Sequence, residues 1–204
     1  PLQGPHNYQT VGRGILARSL KVSTGDQTAS LVHGAYNSQE QEFKEVRDIM
    51  RNNWLWVYNR NLWTPEGVYV VYDPKAAGIS QSLNPNDLEK RLNKSSASLI
   101  YHSSDRTIRF APKESYKLGE HTQESLAKDG FIIASFGEEG AKKLGEVSTK
   151  FKYNPHVGGI NVEKGQSPVQ RVAALGSFGC LGSHRLAVDG YFLGLDRFGC
   201  AFGV

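Results

Sequence analysis

Cysteine is scarce. Cys180 and Cys200 are the two in 204 residues, which excludes a disulfide-stapled scaffold and makes a reducing compartment the default expectation. No apolar run is long enough to cross a bilayer and no charged-then-apolar leader opens the sequence, so neither a membrane span nor secretion is expected. The excess of one charge sign is small, +4; it suits a polyanionic partner and equally an ordinary solvated surface. G-x-x-x-x-G-K-S/T and H-E-x-x-H are lacking, which removes the two commonest signatures of phosphate and zinc chemistry. A fixed-period repeat is lacking as well, which argues against a propeller or solenoid.

What is present is an ordinary globular composition, 39% apolar and 22% charged, with 22 glycines against 8 prolines. That describes one large domain or two small ones, rich in turns and able to bury a core. Residues 1–12 read as an extended arm. Ile15, Leu16, Leu20 and Val22 then predict a strand over 13–23, turned by TGDQ into a second strand over 28–34. Phe43, Val46, Ile49 and Met50 form a helical stripe over 39–51, with Ser38 as its cap. Strands over 53–59 and 67–73 make a hairpin around LWTPEG. A short helix follows over 85–93, capped by Asn84 with Pro85 in its first turn. Strands over 96–102 and 106–112 flank SSD, and 113–128 is a long polar connection.

The stretch 128–153 reads as the end of a β-sandwich. FIIASF at 131–136 is almost wholly apolar and predicts a buried strand over 130–137. Leu144, Val147, Phe151 and Tyr153 alternate with charged residues over 143–153, with a bulge near Gly145 restoring the phase. Eight strands and two short helices without recurrent strand–helix alternation predict an all-β fold: an eight-stranded antiparallel jelly-roll β-sandwich with a C-terminal β-rich extension.

GVYVVYDPKA at 67–76 is similar to the strand E segment of plant-virus-type coats, where a glycine, an apolar strand and an Asp-Pro turn recur. DGFIIASFGEEGAKKLGEVSTKFKY at 129–153 is similar to their last two strands. With helices in the two expected gaps, the chain resembles the jelly-roll capsid proteins of small icosahedral viruses, of the positive-strand RNA type. The resemblance covers about residues 13–155. It implies a shell domain over 13–155 between an arm at 1–12 and an extension or projection at 156–204.

The resemblance further implies a structural protein without enzymatic activity, self-assembling into an icosahedral shell in the virion after synthesis in the host cell. Its partners would be copies of itself and packaged nucleic acid, RNA rather than DNA, with no membrane. Arg13, Arg18 and Lys21 are the nearest candidates for contacts to the packaged genome. No cofactor or metal is expected, except that relatives bind calcium between subunits, for which Asp73, Asp105 and Asp129 are available; turn formation explains them more cheaply. The alternative is a lectin-like carbohydrate-binding module using Trp54, Trp63 or Tyr191 as a stacking platform.

Catalytic and metal chemistry find little support in the sequence. Cys180, His184 and Cys200 fall short of the four ligands of a closed zinc site. Cys180 with His184 and Asp189 matches no peptidase signature, and small buried cysteines in a glycine-rich region are the simpler reading. Glu138 and Glu139 are adjacent and so do not form a paired-carboxylate site.

Overall fold

One strand, Trp54–Thr64, is buried along almost its whole length on both faces, and the rest of the chain is laid around it. The structure, a computed structural model, describes residues 2–94, 98–177 and 184–204. In chain order it comprises β1 (Leu2–His6), α1 (Tyr8–Leu16), α2 (Gly25–Asn37), α3 (Lys44–Asn52), β2 (Trp54–Thr64), β3 (Gly67–Tyr72) and α4 (Pro85–Lys90). There follow β4 (Leu92–Asn93), β5 (Tyr101–Ser103), β6 (Ile108–Pro112), β7 (Gly119–Glu120), α5 (Gln123–Ala127) and α6 (Gly130–Ser148). The chain ends with β8 (His156–Gly158), β9 (Val169–Gly176), β10 (Ala187–Phe192) and β11 (Gly199–Phe202).

The strands form a single mixed sheet in the order β4-β5-β6-β3-β2-β9-β10-β8-β7. β11 runs parallel to the start of β2 and antiparallel to β1, so the two ends of the chain are joined in one ladder. β10 and β8 are also parallel. Along β2 the side chains alternate between two cores, as the period-two pleat requires. Leu55, Val57 and Trp63 face α2, α3 and α6. Trp56 and Tyr58 face Tyr8, Val11 and Ile15 of α1, and Leu62 packs with Leu88 of α4.

This arrangement overturns the jelly roll. There is one mixed sheet with helices on its faces, not an antiparallel two-sheet sandwich, and six helices are present among the described residues. The strands expected at 13–23 and 28–34 are instead α1, a following turn, and α2. Tyr8, Val11 and Ile15 are spaced for a helix face, and Asn7 caps it by accepting from Thr10 N at 2.9 Å. TGDQ, read as a hairpin turn, is a capping box in which Thr24 and Gln27 satisfy each other's backbone N–H, and Ala29, Val32 and Ala35 then point into the core.

The strands expected at 130–137 and 143–153 are likewise α6 and the turns after it. A short apolar run such as FIIASF does not distinguish a buried strand from a helix packed on all sides. Here it is the helix, because Asp129 caps it, accepting from Phe131 N at 3.0 Å and Ile132 N at 3.1 Å. The helix breaks at Gly137, whose φ of 74° is left-handed and whose missing Cβ would lie 2.0 Å from Asp26 Oδ1. The break frees carbonyls of the preceding turn, and the sheet supplies donors. Arg109 Nη1 donates to Ala134 O at 3.2 Å and Asn59 Nδ2 to Ser135 O at 2.9 Å.

Several elements stand where the sequence placed them. β2 and β3 form the expected hairpin, and β2 runs on to Thr64. β5 pairs with β6, though β5 covers only Tyr101–Ser103, and residues 96 and 97 lie outside the described residues. Both predicted helices are present with changed bounds: α3 starts at Lys44 after a 3-10 turn at Gln41–Phe43, and Ser38 closes α2 instead of capping α3, while α4 keeps Asn84 as its cap and Pro85 in its first turn but ends at Lys90. The predicted C-terminal β structure is β9 to β11, with β9 directly beside β2 at the centre of the sheet. Residues 2–6 of the expected arm are β1.

Asp129 also accepts from Lys117 N at 2.8 Å, so one buried carboxylate holds both the start of α6 and the connection before it. Asp129→Ala is expected to lower unfolding free energy by about 2 kcal/mol, read as a fall in the urea midpoint at unchanged slope. An unchanged midpoint would remove Asp129 from the role of helix cap.

Candidate recognition surface

The end of β10 and its connection to β11 gather within residues 191–198 four of the eight large apolar side chains exposed among the described residues, on a pinned backbone. Ala187 to Gly190 are buried. Beyond them Tyr191 is 43% exposed, Leu193 45%, Leu195 65% and Phe198 67%. Charged Asp196 and Arg197 lie between the last two, also exposed.

The backbone beneath these side chains is held at intervals of four residues. Gly190 O accepts from Trp63 Nε1 at 2.9 Å and from Asn61 Nδ2 at 3.3 Å, both on the fully buried β2. Gly194 O accepts from Tyr8 N at 3.1 Å, and Phe198 O from Trp54 N at 2.9 Å. Gly194 has φ 75° and lies against the Tyr8 and Val172 side chains, so the turn is fixed by a residue that has no side chain to vary. Phe192, between the exposed residues, points inward and meets Trp54 and Trp56 edge-on at 4.7 and 5.7 Å. Every anchor is thus a backbone carbonyl, a glycine or an inward ring. The outward side chains contribute to none of the three anchoring contacts.

At the inner margin of this surface, Asp189 is buried beside Tyr191, and both crowd the face of Gly158: a Cβ there would lie 2.0 Å from Asp189 Oδ1 and 2.6 Å from the Tyr191 ring. Burial pushes the Asp189 carboxyl up to about 7.

The residues singled out from sequence fall in scattered places. Arg13 lies in the last turn of α1, while Arg18 and Lys21 follow it in the turn region; all three are exposed, and Lys21 exchanges backbone hydrogen bonds with Val204. Asp73 is buried, accepting from Tyr8 Oη at 3.2 Å and Gly78 N at 2.7 Å, with Arg60 Nε 3.8 Å away. Asp105 serves the turn at Ser103 to Thr107, and Asp129 caps α6. The three aspartates do not converge, and among the described residues no group of three or more His, Cys, Asp or Glu side chains could hold a metal ion.

Cys180 lies outside the described residues. His184 is exposed and Cys200 is buried, where burial pushes its thiol up. Of the proposed stacking platforms, Trp63 is wholly buried and Trp54 half-buried, which corrects their reading as exposed rings; Tyr191 is on the surface. Glu138 and Glu139 sit on α6 just past its break, and Glu139 pairs with Lys142. Leu193, Leu195 and Phe198 were not singled out individually. The signal available was the glycine spacing at 190, 194 and 199 with bulky residues between.

No family model matches the sequence, and no curated protein matches it. A solved structure described as accommodation of massive sequence variation in Nanoarchaeota by the C-type lectin fold is matched with a TM-score of 0.51. The identity is 13%, over 94% of this chain and 96% of that one. The chain therefore has the C-type lectin fold.

The buried Asp189 gives this region a pH signature. Its folded-state pKa stands above the ordinary 3.8, so between about pH 4 and 7 the folded protein binds the extra proton. Stability is then fully retained below that window and falls as pH rises through it, by up to about 4 kcal/mol. Asp189→Asn is expected to flatten the profile of melting temperature against pH and to raise it at pH 8. A wild-type profile that rises across this window would contradict the assignment.

Proposed function

We propose that the protein is a recognition module that binds a protein surface through Tyr191, Leu193, Leu195 and Phe198. The observation that carries this reading is the separation of duties along residues 190–199. Hydrogen bonds from β2 and α1 fix the backbone, while Leu193, Leu195 and Phe198 stand in solvent beside the half-exposed Tyr191 ring, which stacks on Phe192. A protein does not gain stability from apolar groups in water, and a cluster of them rimmed by charge is the usual mark of a macromolecular contact. Tyr191 and Phe198 supply the rigid aromatic area typical of binding hot spots, and Arg197 and Asp196 supply the polar rim.

The neighbouring structure adds support from a different direction. It is described as a C-type lectin fold accommodating massive sequence variation. In the present chain the same fold holds outward side chains at 191, 193, 195 and 198 that play no part in the anchors, so this stretch could change sequence without loss of the framework. Sugar recognition is less favoured because aliphatic Leu193 and Leu195 offer no hydrogen bonds and two of the three candidate platforms are not exposed. The shell subunit suggested by the coat-protein resemblance rested on a sandwich that the chain does not form, so the binding reading is preferred.

The test is a comparison of wild type with Tyr191→Ser/Leu193→Ser/Leu195→Ser/Phe198→Ser in affinity capture and thermal melting. Substitutions of this kind, each costing within about 0.5 kcal/mol, should leave the melting temperature almost unchanged. Wild type should retain protein partners that the variant loses. An unfolded variant, or one retaining the same partners, would contradict the proposal.

A further inference from the structure

A carboxyl group stands without a partner where the recognition surface meets the sheet. Asp189 lies between β8 and β9, opposite Gly158 on one side and Ala174 on the other. It is 4% exposed, yet among the described residues none donates a hydrogen bond to its carboxyl and no cation pairs with it. Buried carboxylates are as a rule paired, because an isolated one is costly to take from water.

The carboxyl is not sealed in. Val188, Val157 and Leu175 point into the α6 core, so Asp189 points to the opposite face of the sheet. There it shares the floor over Gly158 with the half-exposed Tyr191 ring, and a side chain at 158 would displace both. Six side-chain atoms among the described residues have neither accessible surface nor a hydrogen-bond partner, and the Asp189 oxygens are not among them. Their lack of a partner therefore goes with a remaining contact with solvent.

No neighbouring charge answers it. β9 presents Val172 and Ala174 on this face, while its Arg171 belongs to the other. β8 presents Gly158 and, two residues earlier, His156, which burial and Arg185 hold below the ordinary histidine value and so uncharged at neutral pH. Asp196 and Arg197 stand farther along the connection, in solvent. The displacement of the Asp189 carboxyl has burial as its cause, with no contribution from any of these groups.

We propose that Asp189 sets the specificity of the recognition surface by receiving a cationic side chain, so that the partner segment packed on 191–198 carries an arginine or lysine directed at the β8–β10 step. The inference rests on the reading of 191–198 as a binding surface and adds the charge of what that surface receives. A guanidinium or ammonium group supplies the charge-assisted hydrogen bonds that the fold withholds from Asp189. A partner with an apolar side chain there leaves the carboxyl buried and unpaired, which selects against it. The cation takes the carboxylate form, so the proton must leave first. Burial pushes that proton's release up to about 7, and binding therefore tightens from pH 5 to pH 8, the range over which the fold itself loses stability.

The test is an NMR titration of the full chain with N-acetyl-arginine amide, N-acetyl-norleucine amide and N-acetyl-glutamine amide. At pH 8 the arginine probe should shift the amides of Gly158, Asp189 and Gly190 saturably and bind at least about tenfold more tightly than the other two. At pH 5 it should bind at least about tenfold more weakly than at pH 8. Saturating arginine should also move the titration of the Asp189 side-chain carboxyl to lower pH, which a merely structural carboxyl would not show. Asp189→Asn should remove both the preference for arginine and its pH dependence. No saturable arginine binding at pH 8, norleucine binding as tightly, equal affinity at the two pH values, or affinity unchanged by Asp189→Asn would overturn the proposal. Those failures leave affinity capture by the 191–198 surface standing, whereas arginine binding without captured protein partners removes the surface reading instead.

Discussion

A strand with both faces buried has no side to give to water, and β2 imposes that constraint on everything around it. Its apolar residues alternate between the α6 core and the α1 and α4 cores, which obliges the chain to supply helices on both sides. Its polar residues are turned to internal partners, although Asn61 Oδ1 and Arg60 Nε keep no hydrogen bond of their own. Asn59 reaches the broken end of the first half of α6, Asn61 and Trp63 reach Gly190, and Arg60 lies beside Asp73. The same strand that organises the core therefore sets the position of the 190–198 stretch and of the carbonyls freed at the α6 break.

Two irregularities follow from this centre. The break in α6 brings Gly137 under Asp26 and turns carbonyls toward Asn59 and Arg109, which fixes α2 against α6. The β10 to β11 connection spans from the interior of the sheet to the strand that joins the chain ends, held by three backbone carbonyls, Gly194 and the inward Phe192 ring. Local preference gives way at both places, to a helix interrupted at Gly137 at one and to solvent-facing leucine and phenylalanine at the other. Departures of that kind are expected where a fold gives up local preference for binding.

How far the sequence alone reached can be judged from individual elements. The helical stripe of Phe43, Val46, Ile49 and Met50, the Asn84-Pro85 start and the β2–β3 hairpin were all legible, because each carries its own period or turn chemistry. The stretch 24–37 was misread because its capping box, Thr24 and Gln27, also looks like a turn, and its alanines are weak markers of a buried face. FIIASF was misread because a helix enclosed by sheet and α2 needs no polar side, so its period is silent. The long-range pairing of β9 with β2 has no local signature at all. At the candidate site, Tyr191 was visible as an aromatic, whereas its neighbours gained meaning only once Gly190, Gly194 and Phe198 were seen to be pinned.

The central claim is that β2 and α6 form the most buried pair of elements while 193–198 is a surface loop, and amide hydrogen exchange followed by NMR tests it most directly. The account predicts that amides of Leu55 to Trp63, of Ile133 to Phe136 and of Ala141 to Val147 exchange only through global unfolding, while those of Gly137 to Glu139 at the break exchange faster. Amides of the 193–198 stretch outside the anchors should exchange many-fold faster. Alternating, strand-like protection over 143–153, or β2 amides exchanging as fast as the loop, would contradict it.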